Sequence, residues 1–575
     1  MIKLFKKTNT QIIFLTILFS LVVPLVVSAD DGGQRTSFFV NSSYDLQKRT
    51  ELTATLIRIT PSLYFYLDDS WWNSLSVDYQ QEVRLALQGL GEEFGERIYP
   101  ILTSAFGGEW NPGIDRDYHI TVLFHPMPDG AGGYFNDGDE YSRQLSIFSN
   151  EREMVYLNSR YLTSPLIKSF LAHEFTHLIT FNQKEQRNNV VEEVWLNELR
   201  AEYAPTLVGY DKDYYNSNLK QRLNIFVQFP NDSLTEWKGG KADYGVINLF
   251  SQYLVEHYGI KILTDSLFSK ETGISSINKA LLKNGFSEDF SQIFTDWTIA
   301  NIVNDCHISE KYCYKNENLK TLKITPSINF LPLKGASTFA STQETKDWAG
   351  NWYKFIGGKG DLKLEFISFS DVVFKIPYVI KYLNGQKEVD FLTLGNQLII
   401  RDFGEEILSL TIIPSLQNKI SDFDGAEKSY PFFWSVSTQV QKDGNEEETS
   451  ETESIQVLLE KIDFLEKELL VLKNNLRNIL TGESSDITAA ERLTQDLKYG
   501  IRGEEVVLLQ TWLARDKSIY PEGLVTGFFG SLTESAVIRF QEKYAEDVLA
   551  FWELTKGTGF VGSTTRAKLN QLHEG

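Results

Sequence analysis

The sequence predicts a multidomain protein: an α+β domain, an all-β sandwich-like domain, a coiled-coil helix and a small all-α bundle, in that order. Three observations carry this. The chain has 575 residues, 42% of them hydrophobic, enough apolar material for several cores rather than one. The hydrophobic pattern changes along the chain: mixed strand-like and helix-like segments, then short alternating strands, then a heptad seam, then helices punctuated by glycine. Two polar stretches, Gly444–Ser454 and Gly482–Thr488, bury nothing and read as linkers.

Composition excludes several classes. Lys and Arg number 56 against 77 Asp and Glu, a net charge of −21, so nucleic acid is not an expected partner: phosphate contact needs a basic face. No triplet repeat occurs, and there is one long apolar run, which excludes collagen and a multi-span membrane protein. Two Cys exclude a disulfide-dense scaffold or a multi-Cys metal cluster.

Residues 1–29 open the chain. Lys3, Lys6 and Lys7 precede an apolar stretch from Ile12 to Val27, and Val27-Ser28-Ala29 offers small residues at a cleavage site. This reads as a secretory signal cut after Ala29, with an uncleaved N-terminal anchor as the alternative. Either exports the remainder to the envelope or beyond. No Cys follows, which excludes a lipoprotein.

Residues 30–305 form the α+β domain. His119–Phe124 and Met154–Asn158 read as strands, and amphipathic helices follow. Residues 306–440 form the β domain, with strands such as Leu362–Ile367, Val372–Ile376, Val379–Leu383, Gln397–Arg401 and Ile407–Ile412 separated by glycine-containing turns. At its start Cys306 and Cys313 suit a local disulfide in an exported chain. A Cys-His-Cys metal site through His307 is the alternative. An acidic linker spans 441–454. The seam Ile455, Leu458, Ile462, Leu465, Leu469, Leu472, Leu476 and Ile479 then alternates steps of three and four over 455–480. It reads as a coiled coil that can pair with a second copy, or as a single helix docked on a neighbouring domain. A linker at 481–492 leads to the helical bundle at 493–575.

The chemistry-bearing motif is Leu-Ala-His-Glu-Phe-Thr-His-Leu-Ile-Thr-Phe at 171–181. His173 and His177, four apart on a helix, project from one face and can share one metal ion. Ser164 can cap that helix, and Pro165 suits its first turn. Glu174 stands beside the ion rather than on it, where a carboxylate can take a proton from water and return it to a leaving amine. A catalytic zinc needs a third protein ligand and one open position. A third His at the spacing of the metzincins is absent, because Gln183 stands there and Thr180 replaces the turn Gly. Downstream, Val-Trp-Leu-Asn-Glu-Leu-Arg-Ala-Glu-Tyr at 194–203 places Glu198 and Glu202 on one face of a second helix, which Pro205 is expected to terminate.

This pair of helices resembles the gluzincin metallopeptidases, with their His-Glu-x-x-His helix followed by an Asn-Glu helix. Among these it is most similar to the hyicolysin-like secreted neutral proteases. The resemblance implies a zincin-like domain, one catalytic Zn2+ held by His173, His177 and Glu198, and Glu174 as general base. It makes Glu202 the carboxylate that orients a ligand imidazole. The 20 residues between His177 and Glu198 are slightly more than the commonest gluzincin spacing. In zincins an edge strand ahead of the active helix pairs with substrate, and Gly130–Asn136 is either the adjoining cleft wall or a plain turn. Tyr244 and His257, in the helix opened by Asp243-Tyr244-Gly245, are candidates to stabilise the oxyanion, with packing as the alternative.

Residues 497–541 and 559–570, with LKYGIRGEEVVLLQTWL, GFFGSLTESAVIRFQ and GFVGSTTRAKLN, closely resemble the peptidoglycan-binding-like domain. The matching positions, among them Gly503, Leu509, Gln510, Gly527, Phe529, Phe540, Gln541 and Leu569, are caps and core residues that mark the fold. The resemblances together imply an exported zinc endopeptidase acting on protein or peptide and tethered to peptidoglycan. The rival readings are a hydrolase of peptidoglycan stem peptides and a non-catalytic wall-binding surface protein.

Overall fold

The computed structural model describes residues 30–333, 337–368 and 372–418, most of 423–439, residue 462 and most of 492–573. The chain divides into two compact units, Met1–Leu465 and Glu466–Gly575. The signal segment, the linkers and the heptad seam, Ile462 and Arg492 apart, lie outside the described residues. Among the described residues no helix is long and apolar enough to cross a membrane.

The first unit begins with a six-stranded sheet: β1 (Arg35–Phe39), β2 (Glu51–Ile59), β3 (Leu63–Asp68), β4 (Ile120–His125), β5 (Gly133–Phe135) and β6 (Met154–Asn158). Their order is β1-β2-β3-β4-β6-β5. β3 runs parallel to β4 and β4 to β6, while the other pairs are antiparallel. Strands β3, β4 and β6 are buried along their whole length. Parallel strands at the centre of a sheet covered on both faces read as continuous apolar runs, as LYFYLD, ITVLFH and MVYLN largely do. One face packs Phe38, Leu56, Tyr66, Leu123 and Tyr156 into a small core. The other packs Phe65, Val122, Phe124 and Leu157 into a large core shared with helices.

Those helices are α1 (Asp69–Trp72), α2 (Val77–Glu93), α3 (Tyr99–Phe106), α4 (Ile167–Phe181), α5 (Val194–Val208), α6 (Asn218–Phe226), α7 (Lys241–Tyr258), α8 (Lys261–Leu267), α9 (Gly273–Lys283) and α10 (Phe290–Val303). Pro205 does not terminate α5 as expected. It lies inside the helix, which runs on to Val208 and stops where Gly209 turns left-handed at φ 89°. So near the C-terminal end, proline forfeits one backbone hydrogen bond, and the glycine supplies the conformation that ends the helix. The two strands expected next to the site do form, but both are interior. The edge is β5, three residues from the glycine-rich stretch, too short to show a period of two.

Cys306 and Cys313 are joined in a disulfide, so the metal-site alternative through His307 is overturned: neither sulfur is left as a thiolate. Beyond it, Tyr314, Leu319, Leu322 and Ile324 pack into the helical core. The β region starts at β7 (Ser327–Leu331) and continues with β8 (Ser337–Thr345), β9 (Tyr353–Gly357), β10 (Gly360–Ser368), β11 (Phe374–Lys375), β12 (Pro377–Tyr382), β13 (Lys387–Phe391), β14 (Leu398–Phe403), β15 (Ile407–Ile412), β16 (Ser415–Leu416) and β17 (Tyr430–Gln439). The expected sandwich of two sheets is not what forms. Nine strands make one sheet, with β13-β12-β15-β14-β10-β17-β8 as its main path and β9 and β7 branching from β15; β11 and β16 pair separately. Residues such as Leu364, Phe366, Leu410, Phe432 and Trp434 fill a single core. Alternation along each strand marks an inner face, but it does not say whether inner faces belong to two sheets or to one curled sheet. The β region is fastened to the helices: the Trp352 indole donates to the Thr298 carbonyl at 3.0 Å, and the Leu234 amide donates to the Trp348 carbonyl at 2.9 Å.

The second unit has helices at Glu504–Ala514, Ser531–Lys543, Ala545–Val548 and Ser563–His573. Its core contains Val506, Leu509, Leu513, Phe529, Ala536, Val537, Phe540 and Leu569. Gln510 and Gln541 are buried clamps. Gln510 donates to Thr533 Oγ1 and accepts from the Gly527 amide, both at 2.8 Å. Gln541 donates to the Phe560 carbonyl at 2.8 Å and accepts from the Thr558 and Gly559 amides at 2.7 and 3.0 Å.

Candidate metal centre

Helices α4 and α5 pack face to face and deliver the two halves of the site. The α4 face toward α5 carries His173 and His177, one turn apart, while Leu171, Phe175, Leu178 and Ile179 enter the core. Ser164 closes the turn before α4, its Oγ accepting from the Leu166 amide at 3.3 Å. From α5 come Asn197, Glu198 and Glu202.

Three donor atoms converge. His173 Nε2 lies 3.2 Å from His177 Nε2 and 3.3 Å from Glu198 Oε2, and His177 Nε2 lies 3.8 Å from the same oxygen. Metal–donor distances of about 2.0–2.2 Å in a tetrahedral site put neighbouring donors about 3.3–3.6 Å apart. The trio's separations of 3.2, 3.3 and 3.8 Å bracket that spacing.

The far side of each ring explains why the Nε2 atoms face inward. His177 Nδ1 is 3.1 Å from Asn197 Oδ1, and His173 Nδ1 is 3.4 Å from Glu202 Oε1. Both partners are acceptors, so each Nδ1 carries a proton and each Nε2 is turned inward, where it can present a lone pair to an ion. Glu198 Oε2 is buried without a hydrogen-bond partner. Two lone pairs and an orphaned carboxylate oxygen at these distances fit a cation. His173, His177 and Glu198 form the one His/Cys/Asp/Glu group among the described residues whose donor atoms could all reach a common ion.

Charges around the centre are strongly perturbed. Burial works to lower the His173 pKa, but the Glu198 carboxylate 3.3 Å from its ring and the charges of Glu174 and Glu202 hold it up at about 9. His177 is lowered, first by burial. Burial works to raise Glu198, and the two imidazoles outweigh it. Glu174 is pushed up to about 8 by burial and by Glu198 and Glu202, against the pull of His173.

Glu174 lies under the edge strand. A methyl at Gly133 would sit 2.9 Å from Glu174 Oε1 and 2.6 Å from the Tyr156 carbonyl, and one at Gly132 would strike the Phe170 ring at 2.7 Å. The Gly132-Gly133 pair therefore lets β5 lie against α4, which makes this stretch a wall of the site rather than a plain turn. Phe135 in the same strand stacks near His177, with ring centroids 6.2 Å apart.

Glu202 is buried and held on three sides. Arg222 donates to it through Nε and Nη2 at 2.8 and 2.6 Å, Asn218 at 2.9 Å and Asn248 at 3.2 Å. Burial would raise its pKa, but Arg222 keeps it below the ordinary glutamate value. Of the two oxyanion candidates, Tyr244 stays near the site, its ring 6.5 Å from that of His173 and 4.5 Å under the Arg222 guanidinium. His257 does not: its Nε2 donates to the Cys313 carbonyl at 2.9 Å, a packing role.

Sequence reasoning missed Arg222, Asn218, Asn248 and Tyr44. Tyr44 stacks on Tyr134 at 4.7 Å. Burial and then the charges of Glu198 and Glu174 raise its phenol pKa, so it faces the site from the N-terminal region. None of the four belongs to a local motif, and only the packing of α5 on α6 and α7 brings Arg222, Asn218 and Asn248 to Glu202.

A His/His/Glu donor set with a neighbouring buried carboxylate is the arrangement with which metallohydrolases hold a metal ion. The comparisons with known proteins agree with that class. Over 193 residues the chain is 28% identical to the neutral metalloprotease ShpI of Staphylococcus hyicus, covering 29% of this chain and 41% of that protein. The chain thus spans under half the length of this relative. Residues 502–545 match the family described as a putative peptidoglycan binding domain. The chain therefore resembles a metalloprotease carrying a peptidoglycan-binding-like domain. Two solved structures align at 11% identity and a TM-score of 0.14, each over 20% of this chain. They are the Aeromonas hydrophila periplasmic inhibitor of g-type lysozyme, PliG, covered whole, and the Yersinia pseudotuberculosis-derived mitogen, covered over 92%. Likeness that low carries no argument.

Proposed function

We propose that the chain is an exported, envelope-associated zinc endopeptidase that hydrolyses peptide bonds in proteins or peptides and is tethered to peptidoglycan through residues 493–575. The observation that carries this reading is the convergence of His173 Nε2, His177 Nε2 and Glu198 Oε2 beside the buried Glu174. His173, His177 and Glu198 hold the ion, with Glu202 and Asn197 fixing the two imidazoles. Zinc, when bound, supplies Lewis acidity and lowers the pKa of water toward neutrality. Glu174 accepts the proton of the attacking water and passes it to the leaving nitrogen. An extended substrate backbone adds to the open side of β5, the edge of its sheet. Phe135, Tyr44 and Tyr244 then bound the cleft around the scissile bond.

The match at 502–545 also supports a second reading, in which the same chemistry cuts the stem peptides of peptidoglycan. One experiment addresses both. Purified chain, stripped of metal and reconstituted, is expected to hold about one zinc per chain and to cleave an unstructured protein, and His177→Ala to lose both properties. Zinc-loaded protein that digests sacculi but no protein would favour the second reading. Wild type that holds no zinc would overturn both.

A further inference from the structure

We propose that Tyr44 is a specificity-determining residue, which restricts to small side chains the substrate residue lying opposite Tyr134; this rests on the reading that substrate adds to the open edge of β5. Three stacked rings carry it. Tyr156 of β6 and Tyr134 of β5 are register partners, and their rings stack with centroids 4.2 Å apart and planes 7° apart. Tyr44 continues the row, its centroid 4.7 Å from that of Tyr134 and its plane at 27°. Neighbouring strands of a sheet lie about 4.7–4.9 Å apart. The sheet ends at β5, so the Tyr44 ring stands one strand spacing beyond the last strand, on the face that carries Tyr134.

A side chain of an added strand would stand in the same place. Residues directly opposite each other in a sheet share a face, with Cβ atoms about 4.5–5.5 Å apart. Side chains alternate along a strand. Gly133 and Phe135 are turned toward α4, against Glu174 and beside His177, while Tyr134 is turned away into the small core. The substrate residue opposite Tyr134 therefore points away from the metal centre and meets the Tyr44 ring, and its two neighbours point toward α4. A hydrogen or a methyl fits beside that ring. A longer side chain has to displace it.

The ring is held against such displacement. Tyr44 lies in the loop that joins β1 to β2, and the buried carboxylate of Asp45, the next residue, pins that loop. Asp45 Oδ1 accepts from the Gln47 and Arg49 amides at 2.9 and 3.0 Å. Its Oδ2 accepts from Arg49 Nη2 at 2.8 Å and lies 3.2 Å from His125 Nδ1. The Asn41 amide donates to the Tyr134 hydroxyl at 3.1 Å, which ties the loop to β5 itself. The charges of Glu198 and Glu174 reach the Tyr44 phenol, so the restriction acts close to the scissile bond.

The test is a cleavage profile of the full, zinc-loaded chain on a mixture of unstructured peptides of random sequence, with the new termini read by mass spectrometry. Wild type is expected to disfavour large side chains by roughly tenfold or more at one position near the cut. Tyr44→Ala, at a residue 37% exposed, is expected to fold and to lose that restriction at that position and no other. Tyr44→Phe keeps the ring and is expected to keep the restriction. Three results would each overturn the assignment: a wild-type profile with no such position, a Tyr44→Ala profile identical to wild type, or a Tyr44→Phe profile as relaxed as that of Tyr44→Ala. Zinc-loaded wild type that cuts no peptide would instead remove the endopeptidase reading, and this inference with it.

Discussion

Glu174 is buried and Glu198 is partly exposed, both carboxylates act on His173, and the proposed mechanism gives them opposite tasks. Glu198 lies within 3.3 and 3.8 Å of the two imidazoles, which keep it ionised as a ligand must be. Glu174 has burial and two like charges pushing it up to about 8, the condition of a group that takes up and releases a proton near neutral pH. The proposed mechanism therefore separates under mutation. Glu174→Gln keeps size and polarity, so zinc retention under mild chelation is expected to match wild type while peptide turnover falls by roughly 10²–10⁴. Glu198→Gln replaces an anionic ligand with a neutral amide and is expected to lose zinc and activity together. Equal metal loss in the two variants would mean the roles are wrongly divided, and full activity of Glu174→Gln would remove the hydrolytic mechanism.

At the scale of elements, α4 and α5 were legible because ligand spacing and core spacing both follow the 3.6-residue period, so chemistry and fold reinforce each other in one stretch of sequence. The wall of the site was not. β5 is three residues long, and its function rests on what Gly133 lacks, a side chain, which no periodicity reports. The residues that hold Glu202 come from α6 and α7 and meet only in the folded chain, and the single nine-stranded sheet was hidden because alternation is local while strand order is global. The Gly133 contact gives its own prediction. In Gly133→Ala the added methyl meets the Tyr156 carbonyl at 2.6 Å and Glu174 Oε1 at 2.9 Å. The carbonyl is backbone of the neighbouring strand, so β5 must move away from β6 or α4. Because misplacement of about 1 Å near a reacting centre can cost up to 10²-fold, turnover is expected to drop at least tenfold. Melting temperature is expected to fall by only a few degrees, since β5 is three residues long, with Tyr134 in the small core and Phe135 at the margin of the large one. A variant with normal turnover would mean that β5 does not position the reaction.

For the whole molecule, the division into two units matters more than any single contact. The unit Met1–Leu465 holds the candidate metal centre and its core, and the unit Glu466–Gly575 holds a separate core around Leu509, Phe529 and Phe540. Removing the second therefore exposes nothing that the first buries in its own interior. The net charge of −21 also matters, because the wall carries anionic polymers and so acidic a chain gains no general electrostatic attraction to them. Any retention on wall material has to come from a specific surface, and the match at 502–545 points to the terminal bundle. Deleting residues 493–575 is thus expected to leave hydrolysis of a soluble peptide within about twofold of wild type, since the two units have separate cores and independent sites couple weakly. Sedimentation with purified sacculi is expected to fall to the background of an unrelated acidic protein. The full chain should resist release by salt, because screening weakens charge attraction and leaves hydrogen-bonded and apolar contacts in place. Equal sedimentation of truncated and full chains would move the anchor to the first unit. Loss of soluble-peptide hydrolysis on truncation would mean instead that the bundle takes part in the active form of the enzyme.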